Sequence, residues 1–211
     1  MAIKNLAFKG YVNMKNTSIS SFDKDDFFVK TRTIFLYGEI NAATAYDVGC
    51  RLKYLDYIDS ESVITIEVNS PGGEVSSGLA IIDTIACINA PVKIIVCGMA
   101  ASMAALIVAS GTPGLRFALP HSTIMIHQPL GGFNLAQASD IDIYAKNILK
   151  TKKILNGILA SSCHKTIEEI ERDTDRDYYM DAEEAKSYGV IDEIIEIKKR
   201  QSDEFFKRTN N

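Results

Sequence analysis

Val92-Lys93-Ile94-Ile95-Val96-Cys97 runs into Gly98-Met99-Ala100-Ala101-Ser102-Met103 and then into Ala104-Ala105-Leu106-Ile107-Val108-Ala109. The first six residues read as a buried strand and the last six as the opening of a buried helix. Ser102 therefore falls at a strand-to-helix junction. Small residues before it permit a tight turn, and the helix behind it offers free N–H groups and a positive dipole end to a developing anion. That is a favourable place for a nucleophile. For an isolated Ala-Ala-Ser, a small residue packed where strand meets helix is the better account, so the surrounding chain has to decide.

Upstream of this junction, Ile34-Phe35-Leu36-Tyr37-Gly38 predicts a short buried strand. Asn41 caps a following helix with Ala45, Val48, Leu52 and Leu55 on one face. Val63 to Val68 predicts a second strand, ending at Asn69-Ser70-Pro71-Gly72-Gly73, and Val75, Leu79, Ile82 and Ile85 mark a second helix that stops before Pro91. Strand, helix, strand, helix, strand, serine, helix implies right-handed crossovers and a largely parallel sheet, an α/β class.

Downstream, Leu115 to Leu119 and Thr123 to Ile126 are strand-like, the second ending at His127 before a Pro129-Gly131-Gly132 loop. A helix is expected over about 135–161, longer than a core of this size needs, and so expected to project against another subunit. A short helix follows at Ile167 to Arg172, then the acidic run Asp173 to Asp177. Asp181, Glu184 and Gly189 frame a capped helix, and Val190 to Ile197 is expected to be a last strand. Residues 1–32 are expected to form an extended N-terminal arm, 33–197 one domain and 198–211 a frayed tail.

With 211 residues, 46% hydrophobic and 24% charged, the composition is that of an ordinary globular chain. The net charge of −4 and dispersed basic residues argue against nucleic-acid binding, and the uncharged stretch from Ile94 to Gly114 is too broken by glycine and proline to span a membrane. Cys50, Cys87, Cys97 and Cys163 form neither a C-x-x-C pair nor a grouping with histidine, so no metal and no cofactor is expected. A reducing, cytoplasmic setting fits this cysteine usage.

A serine nucleophile needs a base, a group that orients the base, and donors for the oxyanion. Of the three histidines, His127 lies at a strand end, where α/β folds gather their sites, while His121 and His164 read as surface residues. For the orienting acid, Asp140, Asp142, Asp173, Asp175, Asp177 and Asp192 all follow His127, and spacing alone does not choose among them. Gly72-Gly73 after a strand end leaves bare backbone N–H groups of the kind an oxyanion hole uses, although a lone Pro-Gly-Gly is a weak signal, more often just a turn. The G-x-S-x-G elbow of α/β-hydrolases is absent.

Taken together, Asn69-Ser70-Pro71-Gly72-Gly73, Gly98 to Met103, Met125-Ile126-His127-Gln128-Pro129 and Arg172 to Asp177 resemble the ClpP-like serine peptidase family, the proteolytic subunits of Clp proteases, over about Thr33 to Ile197. The resemblance implies a ClpP/crotonase-like fold with a projecting handle helix, and two stacked heptameric rings enclosing a chamber. It implies Ser102 as nucleophile, His127 as general base and Asp177 as the orienting acid. The backbone N–H groups of Gly73 and Met103 match the oxyanion hole, and Asp175 and Arg176 match a contact between rings. A Clp-type unfolding ATPase is the implied partner, docking in a cleft whose matching positions are Glu67, Cys87 and Phe117. Two departures weigh against that partner. Residues 1–32 do not carry the family's readable N-terminal pattern, and Glu67 puts a carboxylate where the family has an apolar anchor, which is costly to desolvate unpaired.

The leading expectation is a serine endopeptidase that cleaves unfolded proteins or short peptides inside a homo-oligomeric ring. A different class, a structural or regulatory ring subunit assembled with a ClpP paralogue, is the alternative that Glu67 motivates. A crotonase-type acyl-CoA enzyme ranks below both, because that chemistry does not require the serine, histidine and aspartate set.

Overall fold

The computed structural model describes residues 24–131 and 137–197. Its elements are, in order, α1 (Lys24–Thr31), β1 (Thr33–Tyr37), α2 (Ala42–Ile58), β2 (Ile64–Ser70), α3 (Val75–Cys87), β3 (Val92–Ala101), α4 (Met103–Ala109), β4 (Arg116–Ala118), β5 (Thr123–Ile126), α5 (Ala138–Cys163), α6 (Ile167–Asp173), β6 (Tyr178–Met180), α7 (Ala182–Tyr188) and β7 (Glu193–Ile194). The strands form one seven-stranded sheet in the order β1-β2-β3-β4-β7, with β5 pairing β3 and β6 pairing β5. Every pairing is parallel except β5 with β6, as expected for strands joined by helical crossovers.

Alternation sets the two faces of the sheet. Ile34, Leu36, Ile64, Ile66, Val68, Ile94 and Val96 are all but inaccessible to solvent and share one core with Val48, Leu52 and Leu55 of α2, Ile81 and Ile85 of α3, and almost all of α4. The opposite face carries a row in cross-strand register, Phe35, Glu67, Ile95, Phe117 and Glu193. Asn41 caps α2 by accepting the N–H groups of Ala43 and Thr44 at 3.0 Å each. Asp181 and Glu184 form a reciprocal capping box on α7, and Gly189 closes that helix in the left-handed conformation.

Four elements differ from the sequence reading. β3 runs ten residues, past the expected end at Cys97, because the chain bulges at Gly98 and continues: residues 94–96 pair with β4, whereas Met99 to Ala101 pair with Thr123 to Met125 of β5. Residues 24–31, expected in an extended arm, form α1, anchored by Phe27 stacking on Phe35 and by Phe28 lying under the Arg51 guanidinium at 4.5 Å. β6, unforeseen, follows the acidic run and pairs with β5. The last strand is only Glu193–Ile194, because Val190 and Ile191 leave the α7 cap to enter the core. The arm before residue 24, the tail from 198 and the loop at 132–136 lie outside the described residues.

The long helix α5 begins at Ala138 and buries Leu155, Asn156, Leu159, Ala160 and Cys163, all in its C-terminal third. Its N-terminal part exposes Ile141, Ile143 and Leu149. Among the described residues, no helix is long and apolar enough to cross a membrane.

Candidate active site

Ser102 alone makes the turn between β3 and α4, at φ 56° and ψ −125°. A non-glycine residue at positive φ costs roughly 1–2 kcal/mol and persists only where its surroundings impose it. Here they do: the Ser102 N–H donates to the Met125 carbonyl at 2.8 Å, and its own carbonyl accepts from Ala105 N–H at 2.9 Å. Beside it, Gly72 packs so tightly that a Cβ there would lie 2.6 Å from the Ala101 carbonyl oxygen and 2.7 Å from Ser102 Cβ. The Asn69-Ser70 pair that precedes it has clear structural duties. Ser70 Oγ accepts Gly72 N–H at 3.1 Å, and Asn69 Oδ1 accepts Met99 N–H at 3.3 Å, fastening the loop to the bulge.

The strained turn aims Ser102 Oγ at His127, whose Nε2 lies 2.8 Å away. His127 follows β5, the strand paired with the last residues of β3, so one β-ladder sets the separation of the two side chains. On its other side, His127 Nδ1 lies 3.1 Å from Asp177 Oδ1. The His127 side chain is 14% exposed and that of Asp177 56%. Asp177 immediately precedes β6, which pairs with β5, so the third residue is delivered by the next strand over.

The other five carboxylates left open by spacing have other places. Asp140 and Asp142 lie exposed on the first turns of α5, Asp142 pairing with Lys146 at 2.7 Å. Asp173 accepts the Tyr188 hydroxyl at 3.0 Å, and Asp192 binds buried Arg116. Asp175 and Arg176 pair with each other at 3.2 Å and are both exposed. His121 and His164 are exposed.

A cavity of about 260 Å³ opens at the serine, lined by Gly73, Met103 and His127 together with apolar Val75, Leu106, Met125 and Leu155. Met103 is the first residue of α4, and the Gly72–Gly73 loop abuts it: a Cβ on Gly72 would reach Met103 N at 3.1 Å. The chain at Gly73 is clamped by Ile40 N–H donating to the Gly72 carbonyl and Glu74 N–H donating to the Ile40 carbonyl, both at 2.8 Å. Gly73, Met103 and an imidazole-linked hydroxyl thus line one small, largely apolar cavity. Such an arrangement is suited to acyl transfer, in which a carbonyl carbon is attacked and its oxygen becomes anionic.

The Clp protease family model matches residues 16–198. This chain belongs to the Clp protease family. Its mostly parallel sheet with flanking helices is the ClpP/crotonase-like fold, and its family is one of peptidases whose members are oligomeric ring assemblies.

Glu67 and Phe117 share the cross-strand row on the open face of the sheet, while Cys87 ends α3, exposed, in the helical layer. One chain therefore does not bring Cys87 beside the other two. The Glu67 carboxylate has partners within the chain. It accepts the Tyr37 hydroxyl at 3.4 Å and the Cys97 thiol at 4.0 Å, and it acts on Lys93, whose ammonium burial pushes down in pKa and Glu67 pulls partly back. Sequence reasoning assigned no role to Gln128, which donates to the Asp175 carbonyl beside the site, or to Lys152, which donates to Gln128. Gln128 stood inside a quoted motif; Lys152 carried no signal at all.

Proposed function

We propose that this protein is a serine endopeptidase in which Ser102 Oγ attacks the scissile carbonyl carbon. His127 Nε2 takes the hydroxyl proton as the C–O bond forms, and Asp177 accepts a hydrogen bond from Nδ1–H, fixing the tautomer and stabilising the imidazolium. The carbonyl oxygen, now anionic, sits between the N–H groups of Gly73 and Met103. Collapse expels the amine, which takes its proton from His127, and leaves an acyl group on Ser102. Water, deprotonated by the same imidazole, then hydrolyses that ester and frees the serine. The observation that carries this reading is the continuous contact from Ser102 Oγ to His127 to Asp177, at 2.8 and 3.1 Å. Val75, Leu106, Met125 and Leu155 supply an apolar wall for the residue before the scissile bond, and unfolded proteins or short peptides in a ring chamber are the substrates that fit. Ser102→Ala should abolish cleavage of a short fluorogenic peptide with an apolar residue at that position. Retained cleavage by the assembled variant would refute the assignment.

A second reading, a ring subunit that pairs with a paralogue and leaves docking of an unfolding ATPase to it, is favoured by Glu67. Glu67 stands on the open sheet face between Phe35 and Ile95 in register. Native mass spectrometry of the protein with and without a Clp ATPase separates the two. Tight ATPase binding by the homomer argues against the second reading.

A further inference from the structure

Beside His127, Gln128 ties three parts of the chain together. Its backbone N–H donates to the Thr174 carbonyl at 2.7 Å. Its side-chain Nε2 donates to the Asp175 carbonyl at 2.8 Å and, more distantly, to Asp175 Oδ1 at 3.4 Å. Its Oε1 accepts from Lys152 Nζ, on α5, at 3.1 Å. These partners fix the amide's orientation, because an ammonium can only donate and a backbone carbonyl can only accept.

Asp177 has no comparable support of its own. Its side chain is 56% exposed, and among the described residues its one hydrogen-bond partner is His127. Its position therefore comes from the backbone of residues 174–177, which Gln128 holds at Thr174 and Asp175. Thr174 is fixed a second time, through its hydroxyl to the Ile170 carbonyl at 2.7 Å. Gln128 thus holds one end of the segment that carries the acid, while Tyr178, paired with Ile126, holds the other.

We propose that Gln128, oriented by Lys152, is a positioning residue that holds the 174–177 segment so that Asp177 meets His127. This rests on the Ser102, His127 and Asp177 reading above. The side chains of Gln128 and Lys152 touch no reacting atom, so the loss of either acts on turnover and leaves substrate affinity in place.

The test is steady-state cleavage of a short peptide, with thermal midpoint and native mass measured for each variant. Gln128→Leu should lower kcat roughly tenfold with KM within about twofold, because orientation and not binding is lost. Gln128→Glu keeps the bond from Lys152 but cannot donate to Asp175, and should fall as far. Lys152→Met should lower kcat about threefold, Lys152→Arg should restore it, and the double variant Gln128→Leu with Lys152→Met should be no slower than Gln128→Leu alone, the mark of one shared pathway. Midpoint and mass should match the wild type throughout. The proposal is overturned if Gln128→Leu or Gln128→Glu retains full kcat, if the two losses multiply, or if lost activity follows lost assembly or stability. Ser102→Ala separates this from the reading beneath it. If Ser102→Ala still cleaves, both fall; if it is inactive while Gln128→Leu is fully active, only the positioning role falls.

Discussion

Replacing Gly72 with alanine tests how tightly the serine's strained turn is held. A methyl group there would stand 2.7 Å from Ser102 Cβ and 2.6 Å from the Ala101 carbonyl oxygen. The two carbons must part by roughly 0.8 Å to reach a normal contact distance. Neither neighbour is the far end of a flexible side chain: one is backbone, and the other is fixed by bonds from Ser102 to Met125 and Ala105. The displacement is therefore taken up by Ser102 itself or by the Gly72–Gly73 loop that faces it. Either way, a shift approaching 1 Å between reacting groups costs on the order of 100-fold in rate, about 2.7 kcal/mol of transition-state stabilisation. Gly72 also has φ 93°, where alanine adds roughly 1–2 kcal/mol of strain. For Gly72→Ala we expect kcat/KM on a short peptide to fall about 100-fold and the thermal midpoint to drop by a few degrees. A variant within about threefold of wild-type kcat/KM would show that the loop does not set the geometry of the serine, and would refute this reasoning.

Three further outcomes follow from the same contacts. Asp177→Asn should lower kcat by on the order of 10³-fold or more, through loss of the correct imidazole tautomer, with little change in thermal midpoint because the side chain is largely exposed; an unaltered kcat would exclude Asp177 as the orienting acid. For Asp192, burial pushes the carboxyl up, but hydrogen bonds from the Arg116 guanidinium and backbone N–H outweigh it and leave the pKa below the ordinary value. Its stabilising contribution is complete above the ordinary carboxylate pKa of about 3.9 and disappears as pH falls through the lower folded value, so the gap in thermal midpoint between wild type and Asp192→Asn should narrow below about pH 4. A gap constant with pH would contradict it. Burial pushes the thiols of Cys97 and Cys163 up to about 11, with Glu67 adding to the shift at Cys97. Both should resist iodoacetamide at pH 8 in the native protein and react after unfolding, as read by peptide mass mapping; rapid native labelling of either would count against the packing described.

Most of the sheet and the helices behind it were legible because their residues alternate or recur with clean periods. Val48, Leu52 and Leu55 announce the inner face of α2, and Ile64, Ile66 and Val68 the inner face of β2. Where the signal failed, non-local contacts had decided the structure. The three residues of β6 become a strand only by pairing with β5, more than fifty residues upstream, and α1 depends on Phe27 and Phe28 finding Phe35, Tyr54 and Arg51. β3 outlasts its apolar run because Met99 to Ala101 find a new partner strand past the bulge. At the site, position along the chain singled out Ser102 and His127, since each ends a strand. Choosing Asp177 among six carboxylates needed either a family pattern or the knowledge that β6 exists. The support from Lys152 had no sequence signal, because a single lysine on a long charged helix looks like any solvated residue.

The central claim is that Ser102 is a nucleophile activated by His127. Its most direct test is treatment of the assembled protein with a fluorophosphonate, followed by peptide mass mapping. We predict one covalent adduct per chain, on Ser102, its formation slowed strongly in His127→Ala. An adduct at another residue, or an equal rate of Ser102 modification without the imidazole, would contradict the account.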